Sequence, residues 1–206
     1  MDQVQAEGGP ARALLDAAAK GDTAAIERSL VAGVKVNVRD AAGRTPLLLA
    51  THGKHVAAAK ALIDAGADVN AKDDIQDSAY LYAGAHGRTE ILKLTLAAGA
   101  DLKSVNRYGG TALIPACHYG HVETVTVLLA TAIDIDHVNR LGWTALLEAV
   151  ILGDGGRAHA VIVERLLKAG ANSAIADRDG VTPLDHARRR GFATMVRLLE
   201  ASLKKP

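Results

Sequence analysis

The chain has 206 residues, 49% hydrophobic but only 3% aromatic, with 24 basic and 23 acidic side chains for a formal net charge of +1. That balance excludes the general pull on nucleic acid or an anionic membrane that a strongly basic chain exerts. The single cysteine, Cys117, excludes an internal disulfide framework and a cysteine-based zinc site.

The opening stretch MDQVQAEGGP has neither a basic start nor an apolar run, so residues 1–10 read as an N-terminal tail without a visible signal peptide. No apolar run in the chain approaches the roughly 18 residues of a membrane helix. These features predict a cytoplasmic protein, or a periplasmic or secreted one whose leader has been removed.

From Arg12 onward the sequence repeats. The first unit, 12–44, opens on RALLDAAAKGD, and its Arg12, Asp16, Lys20, Glu27 and Arg28 give the polar outer surface that a terminal repeat needs. The next units open on TPLLLA at Thr45 (45–77), SAYLYA at Ser78 (78–110) and TALIPA at Thr111 (111–143). TALLEA at Thr144 (144–181) and TPLDHA at Thr182 (182–206) complete six, with opening residues spaced 33, 33, 33 and 38 apart from Thr45. The last unit carries Arg188, Arg189, Arg190, Glu200, Lys204 and Lys205, again the composition of a cap rather than of an anion site. Nothing else is long enough for a second domain, so 11–206 is expected to be one.

Within a unit the same sequence of elements recurs. A Thr or Ser caps a first helix by accepting from a backbone N–H left without a partner. Pro46 and Pro183 stand at the first helical position, where a missing N–H costs nothing. A glycine such as Gly21, Gly87, Gly120, Gly153 or Gly191 breaks that helix. A second one follows, with apolar residues at helical spacing as in VETVTVLLATA and VIVERLLKAGA. It ends at Gly33, Gly66, Gly99 or Gly170, and an extended piece and a turn lead to the next unit. Pro115, at the fourth helical position of its unit, predicts a loosened first turn. Aligning HAVIVERLL with HVETVTVLL puts five extra residues at about 154–158, in the turn between the helices of the fifth unit.

The period and the motifs GRTPLLLA, GADVNAKD, GHVETVTVLL and GVTPLDHA together resemble the ankyrin repeat over residues 11–201, and the chain is similar to small bacterial ankyrin proteins. The resemblance implies an all-α solenoid of stacked helix-turn-helix repeats with β-hairpin loops, about six including caps. The chain departs from the family at the position after TPL, where Leu48, Leu81, Ile114, Leu147 and Asp185 replace the usual His. Apolar packing is expected to replace the hydrogen bonds of that His.

A repeat that buries itself only against its neighbours has no central cavity for an active site. His52 and His118 share one position two units apart. His55, His121 and His159 share another and are expected to bond backbone groups at the turns. The pair His118 and His121 lacks a third ligand, whereas zinc catalysis generally needs three. No catalytic or cofactor motif is present, so no enzyme activity, metal or cofactor is expected. Cys117 stands where the family has a small buried Ala and reads as core. Glu148 and His186 occupy the same helical position in adjacent units and are expected to hydrogen-bond each other across the interface.

What the resemblance implies is protein binding on a concave face made of hairpin tips and the exposed side of the first helices. Carried over by position, the tips are Ala41, Ala42 and Arg44; Asp74, Ile75 and Asp77; Arg107, Tyr108 and Gly110; Arg140, Leu141 and Trp143; and Arg178, Asp179 and Val181. His52, His86, His118, Tyr119, Ile151, Leu152, Arg189 and Arg190 stand at the matching helix positions, while Tyr80 and Tyr82 are expected to fold inward. The candidate site gathers on the third to fifth units: Arg107, Tyr108, Tyr119, Arg140, Leu141, Trp143, Ile151 and Leu152. Aromatic and Arg side chains are the types enriched in interface hot spots. The expected partner is a protein, with no nucleic acid or membrane, and the chain is expected to be a monomer. One alternative is a small-ligand, metal-binding or catalytic protein using the His and Glu positions; another is a structural, self-associating module.

Overall fold

The structure, a computed structural model, describes residues 9–204. The expectations for the first eight residues of the tail and for Lys205 lie outside the described residues. Within them the chain is all-α: twelve helices, with an isolated bridge residue at Arg39 in place of any β-strand.

The helices fall into two compact units, one running through Ala83 and adding Arg88–Asp101, the other comprising Gly84–Gly87 and the chain from Leu102 onward. In the first, α1 (Pro10–Lys20) packs on α2 (Thr23–Val31) and α3 (Pro46–His52). There α4 (Val56–Asp64) packs on α2, α3 and α6 (Thr89–Ala97), and most of α5 (Ala79–Ala85) belongs to the same unit. In the second, the first helices α7 (Leu113–His118), α9 (Ala145–Ile151) and α11 (Pro183–Arg189) pack in that order. The second helices α8 (Val122–Leu129), α10 (Arg157–Lys168) and α12 (Ala193–Leu203) pack likewise, each against its own first helix. Within each unit an element therefore touches its own repeat and the next one.

The caps explain where the first helices begin. Thr45, Ser78, Thr144 and Thr182 each accept from the backbone N–H three residues on, all at 3.2 Å. Thr182 completes a capping box with Asp185. Thr111 breaks the pattern: α7 starts two residues later, and the buried Thr111 hydroxyl has no hydrogen-bond partner. Pro115 is the cause. It has no N–H to give to the Thr111 carbonyl, which takes the Ile114 N–H at 3.3 Å instead. The expected disturbance of that first turn is there, and the cap is lost with it.

Leu48, Leu81, Ile114 and Leu147, which replace the family histidine, are all at most 2% exposed, so apolar packing does stand in for its hydrogen bonds. Ile26, Leu62, Leu92, Leu128, Leu166 and Leu199 are fully buried on the second helices. Each such side chain contributes about 1.5–3 kcal/mol relative to an exposed one. Tyr80 folds inward completely, whereas Tyr82 remains half-buried with its ring against His52, centroids 4.0 Å apart.

The turn histidines dock on the preceding repeat. His55 Nε2 lies 3.1 Å from the Ala19 carbonyl and His159 Nε2 lies 2.8 Å from the His118 carbonyl. The His121 ring approaches Gly87 so closely that a Cβ there would sit 2.7 Å from its Nδ1, and Gly87 also has φ +64°. Only glycine meets both requirements.

The five extra residues of the fifth repeat divide between turn and helix. Arg157 and Ala158 add to the start of α10, which has 12 residues against 8 in α8. Asp154 accepts from the Gly156 N–H at 2.8 Å and lies 2.8 Å from His159 Nδ1. The last repeat clamps the remainder: Arg190 donates to the carbonyls of Ile151 (2.7 Å) and Gly153 (2.9 Å), and the Phe192 ring lies against Gly155.

Candidate protein-binding face

All eight candidate residues lie in the second unit. Their tips are built by one device. Asn106, Asn139 and Asp177 each direct a side-chain oxygen back at two backbone N–H groups of the turn. Asn106 accepts from Tyr108 (2.9 Å) and Gly110 (3.1 Å), Asn139 from Leu141 (2.9 Å) and Trp143 (3.0 Å), and Asp177 from Asp179 (3.0 Å) and Val181 (2.9 Å). The backbone of each anchor also donates to the carbonyl four residues on, as Asn139 does to Trp143 at 3.0 Å. The expected hairpin is thus a tight turn held by an Asn or Asp side chain. Asp40 and Asp73 do the same in the first unit. The signal was in the sequence: an Asp or Asn stands three residues before each tip glycine (Gly43, Gly109, Gly142 and Gly180), and in the second repeat Asp73 stands three before Gln76, which replaces the glycine at φ +68°.

Neighbouring tips are tied together. Arg140 donates its backbone N–H to the Tyr108 carbonyl at 2.9 Å and its guanidinium to the Arg107 carbonyl at 3.2 Å. Arg178 repeats this one tip on, its guanidinium donating to the Arg140 carbonyl. The Arg107 guanidinium lies over the Tyr108 ring, 4.9 Å from its centroid.

Tyr108, Tyr119, Leu141 and Leu152 are 53%, 58%, 46% and 40% exposed. Arg107 and Arg140 are exposed beside them, while Trp143 and Ile151 are half-buried. Tyr119 follows α7 directly and stacks on His118, centroids 4.2 Å apart and planes 13° apart, with the exposed His86 ring 6.5 Å away.

Beneath this surface lies a polar cluster. Glu148, only 6% exposed, accepts from Asn139 Nδ2 at 2.9 Å, and its other oxygen is 3.9 Å from His118 Nδ1. Burial pushes its carboxyl up to about 7 against the opposing pull of the Asn139 hydrogen bond. Burial, with His159 nearby, lowers His118 from its ordinary value. Burial thus disfavours the charged form of both groups, and at 3.9 Å they make a polar contact rather than a tight ion pair. The expected Glu148–His186 bond is not formed. His186 turns to Asp177 at 2.7 Å and braces a tip anchor, while Glu148 finds its partner in Asn139, the tip anchor of the preceding repeat. Cys117 is fully buried, and burial together with the Glu148 charge raises its thiol well above the ordinary range, so it is core and not a nucleophile. Among the described residues no three His, Cys, Asp or Glu side chains converge as metal ligands, and no helix is long and apolar enough to cross a membrane.

The fold and this face define a helical repeat protein in which side-chain-anchored turns alternate with helix pairs. The family model for ankyrin repeats (3 copies) matches residues 14–106 and 80–160, and the chain belongs to the ankyrin-repeat family. It is 56% identical to the ankyrin repeat domain of an Acinetobacter baumannii protein, with a TM-score of 0.90 over 93% of this chain and 98% of that one. A second ankyrin repeat protein of known structure is 44% identical, with a TM-score of 0.89 over 92% and 97% of the two chains. The ankyrin repeat domain of Bcl-3 is 29% identical, with a TM-score of 0.83 over 95% and 86%. Among curated proteins, the putative ankyrin repeat protein YahD of Escherichia coli is 46% identical over 55 residues, 27% of each chain. Ankyrin repeat domains generally mediate protein–protein interaction, and proteins of the family are typically non-enzymatic.

Proposed function

We propose that this protein binds a protein partner on the face formed by the tips and first helices of its second unit, and that it catalyses no reaction. The observation that carries this reading is that Tyr108, Tyr119, Leu141 and Leu152, each at least 40% exposed, belong to the same unit as the exposed Arg107 and Arg140. Large exposed aromatic and arginine side chains are the types that dominate binding at interfaces. Rigid support favours binding here. Each tip is locked by its anchor side chain, so little conformational freedom is lost on docking. Trp143 and Ile151, already half-buried, would lose their remaining water contact at the centre of such an interface.

The partner is a protein in this reading, not nucleic acid or lipid, and the 11–206 domain acts as a monomer. The test is capture of partners from a lysate of the source organism by wild type and by the double variant Tyr108→Ala, Trp143→Ala. A protein recovered by the wild type and lost by an equally stable double variant supports the face. Equal recovery by both would remove these two residues from the interface.

A further inference from the structure

We infer that the partner of this face presents an extended acidic segment, its carboxylates spaced about one every third residue. The inference rests on the protein-binding reading above and adds the chemistry of the partner. Its basis is a column of arginines at one position of three successive tips: Arg107, Arg140 and Arg178, all exposed. The same position in the first unit holds Ala41 and Asp74, so the column begins with the second unit.

Two of these arginines are held rather than loose. The stem of Arg140 lies across Gly109, where a Cβ would sit 2.8 Å from its Cγ, and that of Arg178 crosses Gly142, with the corresponding distance 2.6 Å. Each guanidinium donates to a carbonyl of the preceding tip, and neither has a carboxylate within ion-pair distance among the described residues. A carbonyl bond uses one or two of the five N–H donors and leaves the charge uncompensated. The remainder of a planar, positioned fork suits a carboxylate.

Spacing selects the ligand. Stacked helices lie about 8–10 Å apart, which sets the step from one tip to the next. An extended peptide in the polyproline II conformation has three residues per turn and advances about 3.1 Å per residue, so every third side chain returns to the same face about 9 Å on and meets the next arginine. The exposed Tyr108 and Leu141 follow directly after Arg107 and Arg140, which places apolar anchors between the charges. A nucleic-acid strand fits less well, because the chain has no general excess of positive charge and the face mixes arginine with leucine and with the exposed Asp179.

The probe is a fluorescein-labelled peptide of about twelve residues with a glutamate at every third position and phenylalanine between. Its controls are the same peptide with lysine for glutamate, and a labelled oligothymidylate. Fluorescence anisotropy on the full chain should show binding of the glutamate peptide that weakens as salt is raised past the range where charges are screened. Arg140→Gln with Arg178→Gln should weaken it roughly tenfold, the loss expected of two exposed ion pairs. Arg140→Lys with Arg178→Lys, which keeps the charge but not the planar fork, should bind better than the Gln variant and less well than wild type, and thermal unfolding of both variants checks that the tips still fold. Absent binding of the glutamate peptide, equal binding of the lysine peptide, or stronger binding of the oligothymidylate would each overturn the inference. So would undiminished binding by the Gln variant. A natural partner that is lost with Tyr108→Ala, Trp143→Ala but retained by the Gln variant would sink the acidic-segment inference alone and leave protein binding standing.

Discussion

Replacing Glu148 by Gln should make the protein more stable in alkaline solution and hardly change it in mild acid. The carboxyl is 6% exposed, and its burial moves it from an ordinary 4.5 to about 7. A folded-state value raised above the unfolded one means that the folded protein binds the extra proton between these two values. The stabilisation is therefore complete below about pH 4.5 and is lost as pH rises through 7. At 1.36 kcal/mol per unit, the shift corresponds to about 3 kcal/mol at most. Residual contact of the carboxyl with water reduces this to roughly 1.5–3 kcal/mol. Glutamine keeps the oxygen that accepts from Asn139 and never ionises. The gap between the variant and wild type should thus widen from under about 1 kcal/mol at pH 5 to most of that amount by pH 7 and the whole of it at pH 8.5. For a chain of this size, thermal midpoints would then separate by about 3–10 °C. His118 acts in the opposite sense, its contribution being lost as pH falls from its ordinary 6.5 through its lowered folded value, but both proteins share it. Thermal unfolding at pH 5, 7 and 8.5 is the assay. A gap that does not vary with pH, or a variant less stable than wild type at pH 8.5, would refute the account of Glu148 as a buried neutral acid.

Asn139→Ala removes the side chain that accepts from Leu141 and Trp143 and donates to Glu148. Urea unfolding should show a loss of about 2–4 kcal/mol, and the fall in stability with pH should continue to higher pH than in wild type, since the Asn139 bond holds the folded Glu148 value down. Gly87→Ala should cost about 1–3 kcal/mol by the same measurement, because φ +64° and the His121 ring at 2.7 Å both oppose a Cβ. Arg190→Ala frees the turn of the fifth repeat from its clamp on Ile151 and Gly153. Amide exchange should quicken across 152–157 while global stability changes by less than about 1 kcal/mol, and unchanged exchange there would count against the clamp.

The repeat period, the Thr45, Thr144 and Thr182 caps and the apolar replacements of the family histidine were all legible, because each depends on local chemistry and the 33-residue spacing. Three features were not. The Thr111 cap fails through a proline four residues downstream, where the missing N–H rearranges the whole first turn. Glu148 and His186 occupy equivalent positions, but equivalence of position does not decide which partner a flexible side chain reaches. Asn139 and Asp177 lie nearer, each only nine residues before its partner in the tip that precedes the partner's helix. The extra residues of the fifth repeat looked like loop, and two of them are helix because Asp154 and His159 close the turn before Arg157. The candidate face was legible as a list of exposed positions. The tip anchors that hold it rigid were visible as recurring Asp and Asn residues, but their purpose appears only when the side-chain oxygens are seen to point inward.

The measurement that bears most directly on the binding face is a hydrogen-exchange footprint of the protein with and without its captured partner. Slowed exchange is expected at 107–110, 118–119, 140–143 and 151–152, with the second helices α8, α10 and α12 unchanged. Slowed exchange confined to those second helices, with the tips at their free rates, would contradict it.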